Sequence, residues 1–434
     1  MMDNITQNKT QGVLSKQVLE QGIELYNIKD SKFKHNRISV HMVLPLDKAT
    51  VTEYAVLPFI MRKGYKGCED FSKFNEMLDR LYGASLITEV GKFGANQVLI
   101  YSIQAIDERF TLDNEKIIRR CAELLCDVVL NPDITDGAFP EQDVALEKQF
   151  LIDTITAEIN DKRSYAINRC KLLMGEDNPA SIRKYGYVED AEKITPASAA
   201  LAYAEAIKKA NIKVLFIGSG DSSAAFEVIK ERFAKLERQP VALNPIKYFA
   251  APAEPKSITD LMEVNQAKLV MGFRMPEATT PLELTINKLM VVLYGGTPAS
   301  KLFMNVREKL SLCYYCAARF DRMTGMLLVD SGVELANIEL AKAEILHQLE
   351  DIRQGVITEE ELNSAKLMVK NSLRAVGDSL GSIEEWYLLQ SFLGTSNTPI
   401  EEFALIDQVT SDMIAKAAQK VVLDTIYLLS AKQD

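Results

Sequence analysis

The chain has 434 residues, of which 47% are hydrophobic and 25% charged, the balance of a globular protein and not of a disordered or fibrous one. Its formal net charge of −10 argues against a nucleic-acid binder, which carries a basic surplus. A chain of this length exceeds one ordinary core and implies two to three domains.

The first residues, MMDNITQNKTQGVLSKQ, are polar and lack the apolar stretch of a secretory signal. No run of about 18 apolar residues follows, so no membrane span is expected. Six cysteines (Cys68, Cys121, Cys126, Cys170, Cys313 and Cys316) are then expected as free thiols in a reducing cytoplasm.

In chain order, EQGIELYNIKDSKFK (20–34) predicts a first strand and a basic turn in which Lys32 and Lys34 are solvated. ISVHMVLPLDKATVTEYAVLPFIMRKG (38–64) reads as an alternating strand, a proline, a polar turn, and an apolar helix that ends at Gly64. FNEMLDRLYGASLITEV, from Phe74, predicts a helical turn and then a strand, and ANQVLIYSIQAI (95–106) another strand. Long helices follow at about 112–130 and 140–175. VEDAEKITPASAALAYAEAIKKANIKVLFIG (188–218) predicts a helix capped by Thr195 and a closing strand. Residues 236–257 carry four prolines and read as a linker.

The same order then repeats. AKLVMGFRMPEATTPLELTINKLMVVLYGG (267–296) repeats 38–64, with 19 residues from Pro276 to Gly295 as from Pro45 to Gly64. FMNVREKLSLCYYCAAR repeats the segment from Phe74, and GMLLVDSGVEL (325–335) the strand at 95–106. Helices are predicted over 337–355 and 358–395, where Ile338, Ala341, Ile345, Leu349 and Ile352 form a core-facing stripe and Trp386 is core. FALIDQVTSDMIAKAAQKVVLDTIYLLSA (403–431), capped at Thr410 or Ser411, repeats 188–218. The fold class is therefore α+β: two homologous halves, each a mostly antiparallel sheet covered by helices on one face. The expected domains are 1–237 and 258–434, joined by a linker at 238–257.

One stretch carries chemistry. In GGTPASKLFMNVREKLSLCYY (295–315), Arg307 stands seven residues before Tyr314, across a helix-to-strand turn. A fixed cation and a phenol donor suit a place where negative charge develops. The plainer alternative pairs Arg307 with a helix carboxylate and packs Tyr314 away. Gly295 and Gly296 lack the spacing of a phosphate loop and read as a flexible turn that admits a peptide backbone. Cys313-x-x-Cys316 has the spacing of half a zinc site or of a redox pair, but no second pair completes a structural zinc site, and the plainer reading is two thiols alternating along a strand.

The doubled α+β pattern with S-K-L-F-x-x-V-R-E-K-x-x-L-x-Y resembles the M16 metallopeptidase family, which includes pitrilysin, insulinase and the mitochondrial processing peptidases. That resemblance spans nearly the whole chain. It implies a helix in the first half bearing H-x-x-E-H, whose histidines hold zinc and whose glutamate activates water. Here Ala55, Pro58 and Phe59 fall at those positions, and Glu147 or Asp153 near the further carboxylate ligand. The only histidines are His35, His41 and His347, none spaced four apart, and His41 reads as a face residue of a strand. No metal is expected in this chain.

The resemblance implies that Arg307 and Tyr314 contribute to binding the substrate backbone and the developing oxyanion, with Gly295, Gly296 and Ser300 at a substrate-contacting loop. It implies zinc only in a partner: an M16 sister subunit with H-x-x-E-H forming a heterodimer, or else a homodimer, acting on a peptide or protein. LDRLYGA (78–84) and VREKLSLCYY (306–315) resemble bacterial members without the zinc motif, a likeness tied to the 5-aminopentanol modification of translation elongation factor P. A non-hydrolytic peptide-binding or scaffold protein is the alternative. A different chemistry in the same cleft lacks a placed base for a serine or cysteine nucleophile.

Overall fold

The computed structural model describes residues 13–19, 22–68, 70–175 and 178–431. It contains two compact units, each drawing on separate stretches of chain. The first comprises the described residues up to Ile155, then Ile182–Asn244 and Gly377–Ser396. The second comprises Thr156–Ser181, Pro245–Val376 and the residues from Asn397 onward.

The sheet of the first unit has six strands: β1 (Val13–Leu19), β2 (Ile23–Lys29), β3 (His35–Pro45), β4 (Ser85–Phe93), β5 (Asn96–Ile106) and β6 (Asn211–Gly218). Their order is β1-β2-β6-β3-β5-β4, and only β2–β6 is parallel. The second sheet has β7 (Lys256–Met262), β8 (Ala267–Arg274), β9 (Cys313–Asp321), β10 (Met326–Val333) and β11 (Val422–Ala431). Their order is β7-β11-β8-β10-β9, again with a single parallel pair, β7–β11. Without β1 the two orders coincide strand for strand, so the repeat in the sequence is a repeat of topology. The strand expected first, within 20–34, is β2, and β1 precedes it.

Alternation along β3 explains how the first sheet is covered. Ile38, Val40, Met42 and Leu44 enter a core shared with the helix Val51–Met61, which is buried at every residue but Glu53. Such a helix is apolar all round instead of striped. Arg37, Ser39 and His41 face the other way and are also buried, against Glu384 of the helix Leu380–Leu393. In the second unit the helix Lys162–Met174 lays Ala166, Cys170 and Met174 on Val270, Leu328 and Tyr427.

Each sheet is therefore covered on both faces, where the sequence predicts one. The second cover is in each case a helix that the sequence merges into a longer one. The 140–175 prediction divides into Glu141–Ala157 and Lys162–Met174, because the Asp161 side chain accepts hydrogen bonds from the backbone N–H groups of Arg163 and Ser164, both at 3.1 Å. The 358–395 prediction divides into Glu359–Val376 and Leu380–Leu393, with Ser379 capping Ser382 at 3.0 Å. Thr195 and Thr410 cap their helices as expected, and Thr280 closes a capping box with Glu283. No helix among the described residues is long and apolar enough to cross a membrane. No disulfide joins any of the six cysteines, all among the described residues, and all six are buried.

Candidate functional site

The positions where zinc ligands are expected lie on the buried helix Val51–Met61. Ala55 is fully enclosed, and Pro58 removes one backbone donor within the helix. The Phe59 ring meets Phe150 edge to face, with centroids 5.3 Å apart. The Arg62 guanidinium stands 5.6 Å from the centroid of each ring. Aromatic and cation–π contacts thus fill this place.

Glu147, from the helix Glu141–Ala157, is buried beside them, and both its oxygens are engaged, by Arg62 at 3.1 Å and Lys63 at 2.8 Å. Asp153 is exposed and accepts a hydrogen bond from Gln149. His41 is sealed in β3 between Glu384, 3.2 Å away, and the Lys213 carbonyl. His35 and His347 are exposed. Among the described residues no three His, Cys, Asp or Glu side chains converge to hold a metal. One carboxylate already neutralised by two cations, beside two phenylalanines, offers no ligand set for zinc. The residues present do not fit the metal that the family fold implies.

The Arg307–Tyr314 segment has a different character. Leu302–Lys309 is wound as a π-helix, a wide form found mainly in short stretches, often at functional sites. It ends where Leu310 N–H reaches Asn305 O at 3.1 Å and Ser311 takes φ +52°. β9 then begins at once. The Arg307 guanidinium lies 4.5 Å from the centroid of Phe303, and its ion pair is to the adjacent Glu308 at 3.5 Å. Its side chain is 41% exposed.

Tyr314 is 58% exposed, and its hydroxyl donates to Glu334 at 3.2 Å. The cause of that exposure is a β-bulge. Cys313 stands opposite Val333 and Tyr315 opposite Gly332, which leaves Tyr314 as the extra residue on β9, an edge strand. The neighbouring tyrosine turns inward. The Tyr315 ring lies 4.0 Å from the Arg163 guanidinium, and burial, with Asp330 nearby, pushes its phenol up to about 12.

The loop residues divide in the same way. Gly296 is exposed, whereas Ser300 is buried and its hydroxyl donates to the Thr297 carbonyl at 2.5 Å. Gly295 is buried, and a Cβ placed there would stand 2.7 Å from the Ala318 nitrogen. The backbone that approaches Gly295 is therefore the protein's own β9. Glu334, which holds Tyr314, carried no signal in the sequence, because a bulge brings the two together, whereas Phe303 stands four residues before Arg307 within the motif itself.

A family model described as the peptidase M16 inactive domain matches residues 193–369. The chain is 30% identical over 413 residues to the probable inactive metalloprotease YmfF of Bacillus subtilis (strain 168), which covers 95% of this chain and 96% of that one. It is also similar to an uncharacterized zinc protease, YmxG, of the same strain, 26% identical over 168 residues that make up 38% of this chain and 39% of the relative. The crystal structure of a conserved protein from Enterococcus faecalis V583 superimposes with a TM-score of 0.90 at 25% identity, covering 97% of this chain and 99% of the other. With a doubled topology, the Arg307–Tyr314 segment and a full-length relative itself described as a probable inactive metalloprotease, the chain belongs to the M16 peptidase family, as a member without the H-x-x-E-H motif.

Proposed function

We propose that this chain is the non-zinc subunit of a two-chain M16 peptidase, pairing with an H-x-x-E-H sister and lending Arg307 and Tyr314 to peptide binding and cleavage. One contrast carries the reading: the metal position is filled by Phe59, Phe150 and Arg62, while Arg307 and Tyr314 keep exposed polar groups. A chain that had lost all connection with the chemistry has no reason to hold a phenol and a guanidinium in water on a bulge and a π-helix. That one Bacillus strain has both a probable inactive relative and a zinc-protease relative supports the pairing. The substrate falls within the 5-aminopentanol modification of translation elongation factor P, a reading that rests on the likeness of LDRLYGA and VREKLSLCYY.

The test is a pull-down of the tagged full chain from its native cell, followed by peptide cleavage and zinc assays on whatever co-elutes. The expected result is a stoichiometric zinc-bearing partner. Arg307→Ala should then lower kcat by about 10²–10³-fold without dissolving the complex, the scale of losing one transition-state donor. A chain that elutes alone or with itself, without zinc, overturns the reading. Removing the chain from the cell should alter the intact mass of elongation factor P, and an unchanged mass severs that link. One observation favours binding without cleavage: the Tyr314 hydroxyl already donates to Glu334. In that case Tyr314→Phe weakens peptide affinity and no cleavage is found with any partner.

A further inference from the structure

We propose that Cys313 is an oxidation site and Cys316 its resolving thiol, the two closing a reversible disulfide across the bulge at Tyr314. Strict alternation would send these cysteines to opposite faces of β9. The bulge reverses this. Cys313 stands opposite Val333 and Cys316 opposite Ser331, and Val333 and Ser331 share one face of β10. Directly paired residues point to the same side, so both thiols face the same way. Cys313 is 8% exposed at the start of the strand, and Cys316 is more enclosed, at 4%.

The surroundings separate the two chemically. The Cys316 thiol, and then the Arg307 charge, hold Cys313 below the ordinary thiol range against the opposing effect of burial. Cys313 and burial push Cys316 well above that range. Cys121, Cys126 and Cys170 are each pushed up to about 12 by burial. An ionisable thiol with a protonated one beside it is the arrangement of attacking and resolving cysteines.

The oxidant is a peroxide. The Cys313 thiolate attacks one peroxide oxygen, the O–O bond breaks, and with one proton a sulfenic acid and one water result. The Cys316 thiol then attacks the Cys313 sulfur and expels the second water. Two electrons and two protons leave the dithiol, and one hydrogen peroxide becomes two waters. A dithiol reductant reverses the bond by exchange. The bulge takes up chain between the two cysteines, and their thiols already hydrogen-bond each other, so closure falls in the segment that carries Tyr314.

The experiment treats the reduced full-length chain with one equivalent of hydrogen peroxide, alkylates it under denaturing conditions and maps the peptides by mass. The Cys313–Cys316 peptide should be unalkylated and lighter by two hydrogens. The other four cysteines should be alkylated, and dithiothreitol should restore the pair. Cys316→Ser should trap a dimedone-reactive sulfenic acid on Cys313. Oxidation arriving first at Cys68 or another thiol, a sulfinic Cys313 beside an alkylatable Cys316, or an untouched pair each overturns the proposal. The wild-type map decides even if the variant does not fold, and no outcome depends on a partner subunit.

Discussion

Replacing Gly295 by alanine tests whether this glycine serves contact within the fold or freedom of a loop. Its φ of −155° lies outside the left-handed region that favours glycine, so the substitution demands no positive φ. The obstacle is space. The new methyl would stand 2.7 Å from the Ala318 nitrogen and 2.8 Å from both the Ala318 Cβ and Leu302 Cδ1. Two of those three atoms belong to β9 and do not rotate away. Overpacking of this kind costs about 1–3 kcal/mol. Gly296 is the milder comparison, since it is exposed and its Cβ would stand 3.3 Å from the Val292 side chain, a contact relieved by a shift of a few tenths of an ångström. Gly296→Ala should change stability by no more than about 0.5 kcal/mol. Urea unfolding of wild type and both variants, read by circular dichroism at equal protein concentration, separates the two. A Gly295→Ala midpoint equal to that of wild type would falsify the argument that β9 leans on this residue. Such a result would return Gly295 to the role of a flexible substrate loop.

Glu384 should make the first unit acid-sensitive. Burial raises its carboxyl, but His41 and then Arg37 outweigh burial and hold it below the ordinary range. A depressed folded pKa gives a contribution present above about pH 4.5 and lost as pH falls from there. Glu384→Gln should cost about 3–5 kcal/mol at pH 7 and flatten the decline in urea midpoint between pH 5 and 3; parallel profiles would refute this. Phe59→Ala should remove about 3 kcal/mol by emptying the space between Phe150 and Arg62, read as a lower urea midpoint with no gain of bound zinc by elemental analysis. Asp161→Ala removes the cap of Lys162–Met174 and should cost about 1 kcal/mol, with faster amide exchange over the first turn of that helix; unchanged exchange would assign the helix start to packing alone.

Much of the fold was legible because it is written twice. The equal spacing from proline to glycine in each half marks the same strand–turn–helix, and the strand orders agree. What alternation and helical periodicity could not reveal were interruptions made by single polar groups. Asp161 and Ser379 each end one predicted helix and start another, and those new helices cover the second faces of the sheets. The absence of zinc ligands was legible from the lack of any histidine between 42 and 346. The replacement for them was not, since Phe150, Arg62 and Glu147 meet Phe59 and its helix through tertiary packing. The exposure of Tyr314 depends on one unpaired residue in the β9–β10 ladder, and nothing in CYYCAARF marks where that bulge falls.

The interleaving of the two units sets a timetable for synthesis. When Asn244 leaves the ribosome, every strand of the first sheet has been made, yet the helix Leu380–Leu393 has not. Arg37 and His41 then face solvent without Glu384, for the roughly 7–30 seconds in which about 150 further residues are added. The first half cannot finish folding as it emerges and must wait, partly open, for a segment near the far end of the chain. A fragment ending at Asn244 should accordingly bind chaperones and stay there, whereas adding the helix Leu380–Leu393 as a separate peptide should release it.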